Sequence, residues 1–296
     1  MTSPTGSRPP HPALRGTPLG FAHRGWTPLS AGGSEPDGPP DRTPDGTPDG
    51  KPAEAAPHRH VWENTLEAFA AALELGLTHL ETDVQATADG VAVVLHDPDL
   101  ARTTGRAVPV QAMTWAELAG VRVAGLHPVP RVEAVLEAFP GAVLNIDVKD
   151  ARAVRALADA VRRAGAEDRT VVASFDGRRS RAVQLLAPGV ARSAGMAASA
   201  GARLAAALER LSAPLGRSLL VRAAGGADAL QVPEHAGRLR VVTPRLLRLA
   251  HDVGLQVHVW TVDDAGDMDR LLDLGVDGLM SDRADLLSQV LSRRAG

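Results

Sequence analysis

The chain of 296 residues contains no cysteine. Disulfides, zinc–thiolate centres and cysteine nucleophiles are therefore excluded, and any metal has to be held by carboxylates or histidine. Aromatic residues are scarce as well: four Phe, four Trp and no Tyr. With hydrophobic residues at 44%, the core has to be assembled mainly from Ala, Leu and Val. A basic excess is also missing, because 32 Lys and Arg face 35 Asp and Glu for a formal net charge of −3. That balance argues against a nucleic-acid partner or an anionic membrane surface. No apolar run approaches a membrane span, and "MTSPTGSRPPHPALRGTPLG" has no apolar signal-peptide core. The expectation is a cytoplasmic protein with no integral membrane segment.

What is present divides unevenly. Residues 1–19 read as a flexible N-terminal segment, and residues 20–296 as one catalytic domain interrupted by a foreign stretch at about 27–60. That stretch, "SEPDGPPDRTPDGTPDGKPAEAAPHRH" at its heart, is Pro, Gly and Asp with little to bury, so it reads as a mobile surface insertion. Its Asp-Gly pairs lack the alternating ligands and terminal glutamate of a calcium loop. From residue 61 onward, β-like runs alternate with helical patterns such as "NTLEAFAAALELG", "AVRALADAVRRAG" and "DMDRLLDLG". With "GFAHRG" included there are nine strand candidates, and eight parallel strands would close a (β/α)8 barrel. The ninth is explained by "HLETDVQAT" and "VAVVLHD", joined only by a turn around Ala88-Asp89-Gly90. A link that short demands an antiparallel hairpin on the barrel rim, at about 79–97. With Asp89-Gly90 as a two-residue loop His96 falls opposite Asp83, and a one-residue shift puts it opposite Glu81.

In such a barrel the chemistry sits at the C-terminal strand ends. There the sequence places His23 and Arg24, Glu81 and Asp83, His96 and Asp97, Asp147 and Lys149, Trp260 and Asp282. Residues two apart on a strand share a face, which pairs Glu81 with Asp83 and Asp147 with Lys149. Salt bridges closing the barrel mouth are one explanation of so many ionic residues ending apolar runs. The other is a site: three carboxylates suit a hard divalent cation, Mg²⁺ or Ca²⁺. Arg24 and Lys149 suit a phosphate, and two histidines offer an acid and a base of near-neutral pKa. Together these fit hydrolysis of a phosphate ester.

The stretches "HRGW…ENTLEAFAAALELGLTHLETDVQATADGVAVVLHDPDLARTTG", "LNIDVK" and "VHVWTVDDAGDMDRLLDLGVDGLMSDR" resemble the glycerophosphodiester phosphodiesterase family. The resemblance runs from about Gly20 to the C-terminus and is weakest between about 190 and 235. It implies a TIM barrel with a rim hairpin, and metal-dependent hydrolysis of a small-molecule glycerophosphodiester to sn-glycerol 3-phosphate and an alcohol. By position it implies His23 and His96 as the acid/base pair, and Glu81, Asp83 and Asp147 as metal ligands. Arg24 and Lys149 would hold the phosphate, and Glu63 of "ENT" would support the substrate site from nearby. Trp260 would meet the glycerol end unless it is ordinary core. The chain departs from the family pattern in having Thr82 where leucine is usual, Asp147 where glutamate is usual, and the long insertion between "HRG" and "ENT". That insertion is either a lid over the mouth or plain mobile surface. Rival readings are lysophospholipase D-type cleavage of lysophospholipids and a phosphate-binding barrel without turnover. The oligomeric state is left open.

Overall fold

Alternation of apolar residues along short runs makes strands, and where each run is followed by an amphipathic helix the strands must lie parallel. The computed structural model, which describes residues 10–27, 62–195, 201, 205 and 212–295, follows that rule. Apart from Thr27, the insertion lies outside the described residues. The barrel strands are β1 (Leu19–His23), β2 (His79–Ala86), β4 (Val143–Val148), β5 (Thr170–Ala173), β6 (Ala191–Ala194), β7 (Ala229–Pro233), β8 (Gln256–Trp260) and β9 (Gly278–Ser281). All neighbours are parallel, and β1 closes the barrel by pairing with both β9 and β2. Helices follow the strands: α1 (Leu66–Glu74), α2 (Val132–Ala138), α3 (Ala153–Arg163), α4 (Gly177–Leu186), α5 (Ala213–Ala224), α6 (Pro244–Asp252), α7 (Ala265–Leu274) and α8 (Ala284–Ala295). The start of α1 is fixed by Thr65, whose hydroxyl accepts from the Ala68 amide at 3.1 Å.

The remaining strand of the main sheet, β3 (Ala92–Val94), is antiparallel to β2 and forms the expected rim hairpin. Its register lies between the two expected ones. Val84 faces Val94 and Ala86 faces Ala92, and the Leu95 amide donates to the Asp83 carbonyl at 3.0 Å. Leu95, not His96, is therefore level with Asp83. The cause is Thr87, whose hydroxyl donates to Asp89 and accepts from the Val91 amide, making a longer turn than two residues. After the hairpin the chain folds residues 95–129 around a small core of its own that includes Leu95, Leu100, Val110, Leu118 and Val123.

The period of two decides what fills the barrel. Leu19, Phe21, Val171, Ala191, Ala229 and Met280 form an inner cluster, while Leu80, Leu144, Ile146, Val257 and Leu279 pack outward against the helices. The lower end is closed from an unexpected quarter. Residues 12–14, expected within a flexible segment, form a 3₁₀ turn that buries Ala13 and Leu14 in the inner cluster. Gln256 donates to the Leu14 carbonyl at 2.7 Å, His79 donates to that of Ala13 at 3.2 Å, and His11 bonds Gly189 at 2.6 Å. Only apolar Ala-Leu after the Pro-rich start hints at this plug in the sequence.

Above the plug, His258 is fully buried: Nε2 donates to Gln256 Oε1 at 3.0 Å and Nδ1 accepts from Gln231 at 3.3 Å. Burial pulls its pKa down from 6.5 to about 4. Above pH 6.5 the ring is neutral whether folded or unfolded; below it the unfolded chain takes a proton that the barrel refuses. His258 by itself should therefore remove about 3 kcal/mol of unfolding free energy between pH 6.5 and pH 4, at roughly 1.4 kcal/mol per pKa unit, against an opposite slope from Glu81, whose carboxyl is raised to about 7 by burial. Urea unfolding of the parent and of His258→Asn across that range is the check: the difference in unfolding free energy between the two should shift by about 3 kcal/mol in the variant's favour as pH falls from 6.5 to 4.

Candidate active site

The same alternation carries chemistry upward. On β1 the inward series Leu19, Phe21 ends in His23; on β4, Asn145 leads to Asp147 and then Lys149; on β8, His258 leads to Trp260. Register brings the carboxylates together, because Asp83 is the direct neighbour of Asp147 and Glu81 of His23.

A charge cluster results. In it, Asp83, only 2% exposed, forms ion pairs with Lys149 Nζ at 3.1 Å and Arg24 Nε at 3.2 Å, and Asn64 donates a hydrogen bond to it at 3.1 Å. Burial alone would raise its pKa, but Lys149 and Arg24 outweigh burial and hold the carboxyl well below its usual range. Lys149 also bridges to Asp147 at 2.6 Å, and its backbone is fixed by Arg179, whose guanidinium donates to the Val148 and Lys149 carbonyls. Glu81, with less direct compensation, is pushed up to about 7 by burial and by the charge of Asp83. Burial raises Asp147 too, and its Oδ1 is buried with no hydrogen-bond partner among the described residues.

Beside this cluster, two histidines are each gripped by an aspartate. His23 Nδ1 lies 2.6 Å from Asp282 Oδ1, which directs Nε2 toward Glu81 at 3.7 Å. Burial works against charge on His23, but Asp282 and Glu81 outweigh it and raise the pKa to about 9. His96 Nδ1 lies 2.7 Å from Asp97 Oδ1. Glu63 is buried and accepts from Arg24 at 3.3 Å, so it stands behind the arginine. Trp260 meets the edge of Phe175, centroids 5.9 Å apart, and Lys149 Nζ lies 5.3 Å from the Phe175 ring centre.

The strand-end residues singled out in the sequence thus gather at one rim, Glu63 included. The carboxylates do not converge on one point: among the described residues no group of three His, Asp or Glu side chains has the spacing to hold a metal ion. Asn64, Arg102 and Phe175 were not anticipated. The signal for Phe175 is present, since the inward series Val171, Ala173 continues to 175. Arg102 lies in "DLARTTG", and no spacing rule brings it to Glu63.

The comparisons with known proteins follow the same lines. The model of the "Glycerophosphoryl diester phosphodiesterase family" matches residues 50–286. The chain belongs to this family. The matched range omits β1, so it is the closed barrel that brings His23 and Arg24 to the family's other motifs. A Mycobacterium tuberculosis protein named "Probable glycerophosphodiester phosphodiesterase 2" is 41% identical over 233 residues, covering 78% of this chain and 86% of its own. The "Glycerophosphodiester phosphodiesterase" of Caldanaerobacter subterraneus subsp. tengcongensis is 27% identical, covering 81% of this chain and 97% of its own. Among solved structures, an Oleispira antarctica phosphodiesterase in complex with the product sn-glycerol-3-phosphate shares the fold, with a TM-score of 0.65 at 19% identity, covering 93% of this chain and 97% of its own.

The geometry of "HRG" has a direct test. Arg24 and Asn64 both take positive φ, 60° and 59°, with the Asn64 amide donating to the Arg24 carbonyl. Gly25 follows at φ +85°, where an added Cβ would lie 2.7 Å from the Ala68 backbone. Gly25→Ala should cost about 1–3 kcal/mol from backbone strain alone, with the clash adding to it. Chemical unfolding should show the lowered midpoint, and a variant as stable as the parent would contradict this account of the motif.

Proposed function

We propose that this family member hydrolyses glycerophosphodiesters, releasing sn-glycerol 3-phosphate and an alcohol. The observation that carries the reading is the meeting of two histidines, each held through Nδ1 by an aspartate, with two cations at one barrel rim. Tying Nδ1 leaves Nε2 of each ring as the atom that exchanges protons. Support also comes from the Oleispira antarctica phosphodiesterase, which has the same fold and holds sn-glycerol-3-phosphate.

In this reading the phosphate docks against Arg24 and Lys149, competing with Asp83 for them and fixing the phosphorus before the rings. One histidine takes a proton from the attacking oxygen and the other gives one to the departing alcohol: attack by water yields sn-glycerol 3-phosphate directly, whereas attack by the substrate's own glycerol 2-hydroxyl yields a cyclic phosphate that water then opens. Glu63 keeps Arg24 in place from behind. Trp260 and Phe175 form an apolar wall for the glycerol end, Phe175 being 44% exposed.

Glu81, Asp83 and Asp147 would hold one divalent cation, Mg²⁺ or Ca²⁺. The residues fit it in donor chemistry: the donors are all oxygens, Asp147 Oδ1 is buried without a partner among the described residues, and a positive charge, the Lys149 ammonium, already lies between Asp83 and Asp147; in spacing the three carboxylates would have to draw closer. When bound, such a cation supplies Lewis-acid stabilisation of charge on the phosphate oxygens.

The test is release of glycerol 3-phosphate from glycerophosphocholine with Mg²⁺, with Ca²⁺ and with EDTA. Metal-supported release that EDTA removes is expected. His23→Ala and His96→Ala should each lower kcat by about 10²–10⁴-fold, with an unchanged far-UV spectrum. Absence of release with either metal, with turnover of lysophosphatidylcholine instead, would replace this substrate class by lysophospholipids.

A further inference from the structure

The acid/base histidine His96 and the phosphate cation Arg24 come from opposite sides of the insertion, yet one side chain outside both motifs reaches the partners of each. Arg102 Nε donates to Asp97 Oδ2 at 2.7 Å, and Asp97 Oδ1 meets His96 Nδ1 at 2.7 Å. The other two guanidinium nitrogens fork onto Glu63, Nη1 to Oε2 at 2.8 Å and Nη2 to Oε1 at 2.5 Å. Glu63 Oε1 also takes Arg24 Nη1 at 3.3 Å. An unbroken chain of charge-assisted hydrogen bonds therefore runs His96–Asp97–Arg102–Glu63–Arg24.

We propose that Arg102 is a positioning residue for the reaction proposed above, on which this inference rests: one guanidinium sets the ring of His96 through Asp97 and the guanidinium of Arg24 through Glu63. An incidental surface ion pair is a poor description of it. Glu63 is 3% exposed at the side chain, so its charge needs fixed partners, whereas Arg102 is 43% exposed and had solvent available. The platform beneath Arg102 is built as well. Its short helix, Ala101–Thr104, is started by Asp99 accepting from the Ala101 amide at 2.8 Å, and Leu100 beside it is fully buried in the small core after the hairpin. Thr103, next in line, is buried and its carbonyl accepts from the Ala124 amide at 2.9 Å. The side chain is thus projected from a fixed point toward two carboxylates in different orientations. A guanidinium can satisfy both at once; an ammonium, a point charge on a flexible stem, cannot.

Three variants and two readouts test this. In Arg102→Ala, Asp97 and the His96 ring lose their anchor and Glu63 loses its forked partner, so kcat on glycerophosphocholine should fall tenfold or more and KM should rise. Arg102→Lys keeps the charge and should recover little of either. Guanidinium ion at tens of millimolar, but not ammonium, should restore part of kcat to Arg102→Ala through the half-exposed position. The readout independent of turnover is ¹⁵N NMR of the histidine rings. The His96 signal should report a hydrogen-bonded Nδ1–H in the parent protein, and should change in Arg102→Ala and in Asp97→Asn alike. Wild-type kcat and KM in folded Arg102→Lys, or a His96 signal unmoved in Arg102→Ala, would overturn the proposal. If Arg102→Ala does not fold, Arg102→Lys and Arg102→Gln carry the same comparisons. Were the parent protein inactive on diesters, the functional reading would fall, while the NMR comparison would still decide whether Arg102 positions His96.

Discussion

Everything at the rim depends on the mutual neutralisation of buried charge. Asp83 is the pivot, because it is closed off from water and simultaneously meets Arg24 and Lys149. An isolated carboxylate at that depth would give up its charge; flanked by two cations it keeps it. Those cations are in turn shared outward, Lys149 to Asp147 and Arg24 to Glu63. Asp83, Arg24 and Lys149 thus each meet more than one opposite charge, while two carboxylates, Glu81 and Asp147, have pKa values raised by burial. Charge kept at that depth adds little to stability, since a rim built for stability alone would gain from apolar replacements.

Much of this was legible in the sequence because a barrel strand has only two faces. Once Phe21 and Leu19 face inward, His23 must also. The strand candidates from "GFAHRG" to "DGLMSD" all form, and the hairpin follows from a link too short to cross a barrel. Those are local inferences, set by period and by turn chemistry. What could not be read were contacts between segments that no period relates. The 3₁₀ plug at residues 12–14 depends on Gln256, His79 and Gly189, far along the chain. The hairpin register depended on one hydroxyl, Thr87, extending the turn. The salt-bridged Arg102 lies in a segment whose path is set by the small core around Leu100.

The interior offers a controlled comparison of how environment sets chemistry. His23 and His258 both lie on inward faces of barrel strands, and burial opposes charge on both. At the lower level the partners of His258 are the neutral amides of Gln231 and Gln256, which stabilise a neutral tautomer, and the pKa falls to about 4. At the rim the partners of His23 are the carboxylates of Asp282 and Glu81, and the pKa rises to about 9. Desolvation has the same sign in the two places, so it is not what sets the two rings apart. The distinguishing step is whether the strand's inward series ends on a level where neighbouring strands also present acids. Register decides that, and register here aligns Glu81 with His23 and Asp83 with Asp147. The barrel's hydrogen-bond ladder is therefore as much a part of the site as the side chains it delivers.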